Sequence, residues 1–228
     1  MQTLLNRNSW LQQLYFGRNK LEKALILSSL FSGMLLLVRI ILTSRMVFLF
    51  LPWNLFLAWT PYLLSKWMAT QPAILRRRAI LFLCMATWLL IVPNSFYILT
   101  DLFHLQMREE SNRGFDLVLI FSFAWTGLAL GVLSVGEMGK ICRQYFSIRH
   151  DAYFIFPVMW MISLGIYIGR YMRFNSWDVI TNPFALLSDI GDLVLHPAEH
   201  IIVWGMIGCF AVLMTIIYYT VKFMAKSL

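Results

Sequence analysis

The chain has 228 residues, of which 60% are hydrophobic and only 13% charged, and its net charge is +8. About half the residues of a soluble domain are apolar and about a quarter are charged, so this composition excludes an ordinary soluble protein. The Lys and Arg residues are dispersed between apolar segments rather than concentrated on one element, which argues against a nucleic-acid partner. The composition indicates a single membrane domain, residues 1–228, whose surroundings are the lipid bilayer.

Six segments of the chain are long and apolar enough to cross a bilayer, which takes about 20 residues. None of them alternates polar and apolar side chains as a transmembrane strand would. We therefore expect an all-α integral membrane bundle of six transmembrane helices. The spans are expected at about 24–43, 46–65, 79–99, 115–135, 152–169 and 201–221.

Charges are divided unequally between the gaps that separate these spans. The gaps on the side of the two termini hold 13 Lys and Arg residues, and the opposite gaps hold five. Because cytoplasmic loops are enriched in Lys and Arg, we expect both the N- and the C-terminus in the cytoplasm. Eight of the 11 acidic residues fall on the outer side. Acidic residues have little influence on orientation, so their outward bias suggests another role.

Three stretches outside the spans are expected to be interfacial. Residues 4–16 mix apolar and basic side chains and predict an amphipathic helix on the cytoplasmic leaflet. Residues 183–195 follow Asn182, a plausible N-cap, and begin with proline, which favours a short helix on the outer leaflet. Residues 100–108 continue the third span outward. The apolar face of the short outer helix is expected to comprise Phe184, Leu187, Ile190 and Val194.

The end of the third span carries a row of polar residues. Their separations of 3, 4, 3 and 4 residues put them on one face if the helix continues. Pro93 is expected to kink this helix and to free the carbonyl of residue 89. The row forms either a wet helix end, in which Asn94 satisfies the kink, or the lining of a pocket. Its members are Asn94, Tyr97, Asp101, His104 and Arg108.

Asp101 and His104 lie one helical turn apart and are the candidates for catalytic chemistry. They could form a proton-transfer pair or bind a metal ion. A single Asp-x-x-His pair is too common to assign a metal, and the sequence assigns no cofactor. It also lacks a P-loop, a nucleophile elbow, a zinc-protease motif and a dinucleotide-binding glycine pattern. Whether the protein is an enzyme therefore stays open.

Two arginines at the outer end of the fifth span, Arg170 and Arg173, oppose the positive-inside rule and are each expected to have a local partner. An acid such as Asp101, Asp116 or Asp178 could pair with them and lock the bundle. Alternatively, the two guanidinium groups could bind the phosphate or carboxylate of a ligand.

Asp116 opens the fourth span, where its charge would favour the positive end of the helix. Arg39, near the outer end of the first span, can extend outward to the headgroups or turn inward and pair with an outer acid. Two small-xxx-small pairs predict close helix packing. These are Gly127 with Gly131 and Gly165 with Gly169.

Several short patterns occur together in the chain. They are Pro52-Trp53-Asn54, Pro93-Asn94 through Tyr97 with Asp101-Leu102-Phe103-His104, Phe115-Asp116-Leu117, and Asn175-Ser176-Trp177-Asp178. In this combination the chain resembles a family of uncharacterised bacterial membrane proteins catalogued only as a domain of unknown function, over about residues 45–225. The resemblance implies a multi-pass protein of the bacterial plasma membrane and brings no activity or cofactor with it.

We expect the outer ends of spans two to five to form one polar pocket open to the extracytoplasmic side. It would bind an anionic or lipid-linked envelope component, with the arginines on the anionic group and Asp101 and His104 handling a proton or metal. One alternative is a non-enzymatic scaffold or accessory subunit whose outer charges are structural ion pairs. Another, ranked lower, is a small transporter, which would need polar residues on the inner side too. The expected pocket residues are Asn54, Asn94, Tyr97, Asp101, His104, Asp116, Arg170, Arg173, Asn175 and Asp178.

Overall fold

A computed structural model of the protein describes residues 2–71, 74, 77–107, 113–174 and 176–227. Within these ranges, the side chains of residues 2–19, 104, 106–107, 180 and 226 lie outside the description. The described residues are almost entirely helical and form no strand, which confirms the all-α class.

The helices are numbered here in chain order. They are α1 (Gln2–Thr43), α2 (Phe50–Thr70), α3 (Arg78–Ile91), α4 (Pro93–Tyr97), a 3₁₀ segment (Ile98–Met107), α5 (Arg113–Phe146), α6 (Ala152–Arg170), α7 (Asp178–Thr181), α8 (Pro183–Leu195) and α9 (Ile201–Ser227). The predicted outer helix over 183–195 has the bounds of α8. The predicted interfacial stretch 4–16 is continuous with the first span, because α1 runs unbroken through both.

Among the residues that the structure describes, five stretches of helix are long and apolar enough to cross a membrane, and they indicate a multi-pass membrane protein. The sixth expected span, α2, does not meet the same requirement, since its 21 residues include Pro52, Asn54 and Lys66, which lower its mean hydropathy. The five stretches are Lys20–Thr43, Arg78–Phe103, Arg113–Phe146, Ala152–Arg170 and Ile201–Ala225.

The fold is organised around α5. Two thirds of its apolar stretch is buried, against a third or less in the other four. One side of α5 packs against α1 and α2, with Leu51 and Phe123 in the shared core. The other side meets α3, α4, α6 and α9 around Trp88, Phe96 and Met138. Because α5 belongs to both cores, it fixes the helices on either side of it.

The third span breaks at the proline, as the sequence predicts. α3 ends at Ile91, Pro93 starts α4, and from Ile98 onward the chain is a 3₁₀ helix. The sequence predicts that Pro93 frees the carbonyl of residue 89. A side-chain hydrogen bond is observed at the next carbonyl, where the Ser176 hydroxyl donates to the Leu90 oxygen at 3.1 Å. The break therefore lies against the segment that follows α6.

Glycines allow α4 to lie between α5 and α6. A Cβ at Gly165 of α6 would stand 2.6 Å from Cγ of Pro93, and one at Gly131 of α5 would stand 2.7 Å from Cε2 of Phe96. Either contact is too short for two carbon atoms. The close packing predicted from the glycine pairs is confirmed, and it sets how deeply α4 enters the bundle.

The two ends of the bundle differ in their polar contacts. At the end where α5 finishes and α6 begins, here called the basic end, Asp151 pairs with Arg143 and Lys222. At the same end Lys66 of α2 pairs with Glu22 of α1 at 2.6 Å. The opposite end, where α1 and α6 finish, is called the cavity end.

Candidate functional site

Asp101 is a buried carboxylate at the cavity end, with 1% of its surface exposed. Two other helices provide its partners. Nδ2 of Asn54 on α2 donates to Oδ2 at 2.8 Å, and Nη1 of Arg170 at the end of α6 lies 3.5 Å from Oδ1. A buried charge without such partners would be costly, so these contacts explain how Asp101 is tolerated there.

Arg170 makes further contacts with the region around the proline break. Its Nη2 donates to the Thr100 carbonyl at 3.2 Å, and its Nη1 lies 3.5 Å from the Tyr97 hydroxyl, which accepts. Its guanidinium carbon also stands 5.8 Å from the centre of the Tyr97 ring, within cation–π range. Arg170 therefore joins α6 to α4 and the 3₁₀ segment.

Beside this ion pair lies a cavity of about 330 Å³, enclosed by α2, α3, α4, α6 and the segment from Phe174 to Ile190. Its walls are mainly apolar, with Leu57, Leu164 and Ile168 among them. No charged side chain of the described residues lines it. The volume is that of a small-molecule or lipid-chain pocket. Its uncharged polar side chains are Asn54, Asn94, Tyr97 and Ser176.

A short chain of hydrogen bonds crosses the wall of the cavity at the helix break. Nδ2 of Asn94 donates to Oγ of Ser176 at 3.3 Å, and the Ser176 hydroxyl donates in turn to the Leu90 carbonyl. Asn94 is therefore connected to the Leu90 carbonyl at the helix break through the Ser176 hydroxyl. Ser176 was part of a sequence motif but was not among the expected site residues, because a serine next to an interfacial tryptophan is unremarkable in sequence.

Asp116 lies in a separate ion pair and does not reach the cavity. It is fully buried and receives two hydrogen bonds from Arg39 of α1, one from Nε to Oδ1 and one of 3.1 Å from Nη2 to Oδ2. Of the two arrangements open to Arg39, the inward one is observed. Asp116 also lies in the first turn of α5, as expected for a carboxylate near the positive end of a helix, so the ion pair adds to that interaction.

The expected single row of polar residues on the third span is divided. A 3₁₀ helix has about 3.0 residues per turn instead of 3.6, so each residue beyond Ile98 is rotated away from the α-helical register. Asn94 and Tyr97 face the cavity, whereas Asp101 turns toward α2 and the protein interior. The backbone of His104 belongs to the same 3₁₀ segment, but its side chain lies outside the description, as does all of Arg108.

Two further expected pocket residues, Arg173 and Asp178, do not line the cavity. Arg173 lies three residues beyond the end of α6, is exposed and has a left-handed backbone with φ of 61°. Asp178 starts α7 and accepts a hydrogen bond of 2.9 Å from the Thr181 hydroxyl. Asn175 lies outside the described residues.

A cluster of one acid and two histidines joins α8 to α9. Nδ1 of His196 and Nε2 of His200 each lie 3.0 Å from a different carboxylate oxygen of Asp192. These hydrogen bonds, that of His200 first, hold the pKa of Asp192 below its ordinary value. Across the described part of the chain, no group of three or more His, Cys, Asp and Glu side chains is arranged to hold a metal ion.

Comparison with known proteins identifies a family. No curated protein and no solved structure matches the chain. The sequence model of one family, described as "Protein of unknown function (DUF1361)", matches residues 53–218. The match takes in the cavity and both arginine–aspartate pairs except Arg39, and it confirms the resemblance to a family of unknown function. The chain therefore belongs to the DUF1361 family.

Proposed function

We propose that this protein is a six-pass protein of the bacterial plasma membrane that binds a lipid-linked envelope component in the cavity, from the extracytoplasmic side. The observation that carries the proposal is the composition of the cavity wall. Apolar side chains such as Leu57 and Ile168 surround a few uncharged polar groups. A pocket of that kind suits an amphiphile, whose chain contacts the apolar wall while its head group makes the hydrogen bonds.

The contacts of α2 support a sixth crossing. At one end Asn54 bonds to Asp101, and at the other Lys66 pairs with Glu22, so α2 extends over the length of the bundle. Its 21 residues correspond to about 30 Å of helix, the thickness of a hydrocarbon core. The Lys and Arg residues at the basic end support a cytoplasmic location for that end and thus for both termini.

The position of α8 supports access from the lipid. Phe184 is 85% exposed and Leu187 and Leu195 are also largely exposed, while Leu186 and Ile190 line the cavity. Exposed apolar side chains in such number suit the lipid phase rather than water. Ile190 is predicted on one apolar face with Phe184 and Leu187, but it lines the cavity while those two side chains are exposed. We infer that α8 lies in the outer leaflet and separates the cavity from the lipid around it.

The positions of Arg170 and Arg173 do not favour an anionic ligand that would bind to the two guanidinium groups. Arg170 is held by Asp101, Thr100 and Tyr97, and Arg173 is exposed away from the cavity wall. Asp101 does not line the cavity and contacts Asn54, which does. We therefore propose binding of a lipid-linked ligand and give Asp101 the role of a positioning residue.

A second candidate function, a scaffold or accessory subunit without a ligand, is favoured by the ion pairs. Both buried acids that the structure describes at the cavity end have an arginine partner within the chain, Asp116 with Arg39 and Asp101 with Arg170. Pairs of this kind can hold a bundle together whether or not anything binds. The two candidates differ in whether the cavity is occupied by an amphiphile in the membrane.

The experiment that tests the proposal is the identification, by mass spectrometry, of lipids that copurify with the protein. Ile168→Trp fills the cavity, and Ile216→Trp makes the same change on an exposed position of α9 as the matched control. We expect the wild type and Ile216→Trp to retain an amphiphile in roughly equimolar amount and Ile168→Trp to lose it. Equal lipid content in all three proteins would contradict a cavity ligand and favour the scaffold.

Orientation is tested by cysteine labelling in intact cells. Cysteines are introduced singly at Ser188 of α8 and at Ser227 near the C-terminus, in a chain whose three natural cysteines are replaced. All three are free thiols, so their removal breaks no disulfide. A membrane-impermeant maleimide is expected to label position 188 and not position 227, and the reverse pattern would contradict the proposed topology.

A further inference from the structure

Hydrogen bonds within the protein determine whether each polar group of the cavity wall can donate to a ligand or accept from it. Asn54 is the first such group. An ionised carboxylate only accepts hydrogen bonds, so the atom of Asn54 that faces Asp101 must be the amide nitrogen. The carbonyl oxygen, Oδ1, is left over, and no described residue donates to it. Asn54 therefore presents an acceptor.

Asn94 also leaves its carbonyl oxygen free to accept a hydrogen bond. A serine hydroxyl has one proton, and that of Ser176 is donated to the Leu90 carbonyl at 3.1 Å. Ser176 can then only accept from Asn94, so the contact of 3.3 Å must come from the amide nitrogen. Once more Oδ1 has no donor among the described residues, and one amide proton is also left over. A second acceptor of the cavity lining is fixed in this way.

Tyr97 adds a donor. Its oxygen accepts from Arg170 at 3.5 Å, and no described residue takes the phenolic proton. The lining side chains thus offer two amide carbonyl oxygens as acceptors. As donors they offer the second amide proton of each asparagine, the Tyr97 hydroxyl proton and the indole N–H of Trp53, and none of the described lining side chains is charged. A phosphate or carboxylate has only acceptors to offer to these carbonyl dipoles. A hydroxyl group can donate to an amide oxygen and accept from the tyrosine.

We propose that the cavity recognises the hydroxyl groups of an uncharged lipid head group, such as a glycerol or a sugar, through the carbonyl oxygens of Asn54 and Asn94. This inference rests on the proposed function, because it names the chemistry of the ligand that the cavity would hold. Leaving a buried hydrogen-bonding group unpaired costs about 1–3 kcal/mol, which corresponds to roughly 5- to 150-fold in affinity. A phosphate in place of a hydroxyl is therefore selected against.

The test compares two probes with the same oleoyl chain, 1-monooleoylglycerol and 1-oleoyl lysophosphatidic acid. Dissociation constants are measured for the full chain in phosphatidylcholine nanodiscs. We expect monooleoylglycerol to bind at least about 10-fold more tightly. Asn94→Leu should weaken its binding about 10-fold, and the matched control Asn182→Leu, on an exposed asparagine before α8, should leave it unchanged.

A second variant keeps the test informative should Asn94→Leu fail to fold. Ser176→Ala removes the acceptor that fixes the Asn94 amide, so the amide can turn and present its N–H groups to the cavity. We expect Ser176→Ala to reduce the preference for monooleoylglycerol several-fold, by strengthening lysophosphatidate binding. An unchanged preference in that variant would overturn the inference.

The outcomes for the wild type separate this inference from the proposed function. Equal or tighter binding of lysophosphatidic acid, lost in Ile168→Trp, would overturn the neutral head group and leave a lipid-binding cavity in place. Binding of neither probe, or binding that Ile168→Trp does not reduce, would overturn both.

Discussion

Among the described residues, the cavity end contains two arginine–aspartate pairs, each with a buried carboxylate, that differ in what surrounds them. Arg39 and Asp116 share two hydrogen bonds, and neither residue lines the cavity. Asp101 and Arg170 meet through one contact of 3.5 Å, and each also holds a residue of the cavity wall, Asn54 or Tyr97. The first pair joins α1 to α5. The second joins four elements, α2, α4, the 3₁₀ segment and α6, around a space that can hold a ligand.

This difference shows that a buried ion pair in a membrane bundle can serve folding or a binding site, and that its neighbours decide between the two. The Arg39–Asp116 pair joins two helices through Nε and Nη2 of Arg39, while Nη1 is buried without a hydrogen-bond partner among the described residues, so loss of the pair affects the packing of those helices. A pair that shares its donors with lining residues fixes their orientation as well. Substitutions should therefore separate stability from ligand binding.

The largest effect is expected for Asp116→Asn. The change leaves the Arg39 charge buried without its counterion, which costs about 3–5 kcal/mol in comparable buried pairs. We expect a marked loss of folded protein and a lower midpoint of thermal unfolding. Asp189→Asn, on an exposed acid of α8, is the matched control and should behave as the wild type.

The same pair offers a rescue. Replacement of both members by apolar residues, Arg39→Met with Asp116→Leu, removes the buried charges together and should recover most of the lost stability. A double variant as unstable as Asp116→Asn would show that the pair has a role beyond mutual neutralisation.

A smaller effect is expected for Asp101→Asn. Arg170 keeps the Thr100 carbonyl and the Tyr97 hydroxyl as partners and is partly exposed, so its charge is less isolated than that of Arg39. We expect a loss of about 1–3 kcal/mol in the free energy of unfolding, together with weaker monooleoylglycerol binding. A loss as large as that of Asp116→Asn would contradict the division between the two pairs.

Much of the helical framework can be predicted from the sequence. Long apolar segments predict the membrane helices, Pro93 predicts the break in the third span, and Asn182-Pro183 predicts the start of α8. These features depend on local composition or on one residue's backbone chemistry, which a sequence displays directly.

The site could be predicted only in part. Asn54, Asn94 and Tyr97 were expected in a pocket and do line the cavity. The choice of ion-pair partners could not be read, since Arg39 and Asp116 are 77 residues apart and only the packed fold decides which acid each arginine meets. The change to a 3₁₀ helix at Ile98, which turns Asp101 away from Tyr97, likewise depends on tertiary packing.

A still smaller effect is expected for Arg173→Gly. Arg173 has a φ of 61°, a conformation that costs a residue with a side chain about 1 kcal/mol and a glycine nothing. We expect a gain of up to about 1 kcal/mol in stability and unchanged ligand binding. A lower affinity of Arg173→Gly for monooleoylglycerol would show that Arg173 contributes to ligand binding, against this expectation.

The smallest effect concerns pH and the link between α8 and α9. The pKa of Asp192 is lowered in the folded protein by hydrogen bonds from His200 and His196. Its stabilising contribution is present above the ordinary pKa of about 3.9 and is lost as the pH falls through the lower folded value. Hydrogen exchange at residues 196–200 should rise in that acidic range in the wild type, and Asp192→Asn should show the faster exchange already at neutral pH.

The most direct test of the division between folding and binding is one thermal-unfolding series in nanodiscs, with and without 1-monooleoylglycerol, on the wild type, Asp116→Asn and Asn94→Leu. We expect Asp116→Asn to unfold at a lower temperature and to keep the stabilisation by ligand, and Asn94→Leu to unfold near the wild-type temperature and to lose it. The opposite assignment, or equal losses of both quantities in the two variants, would contradict the account.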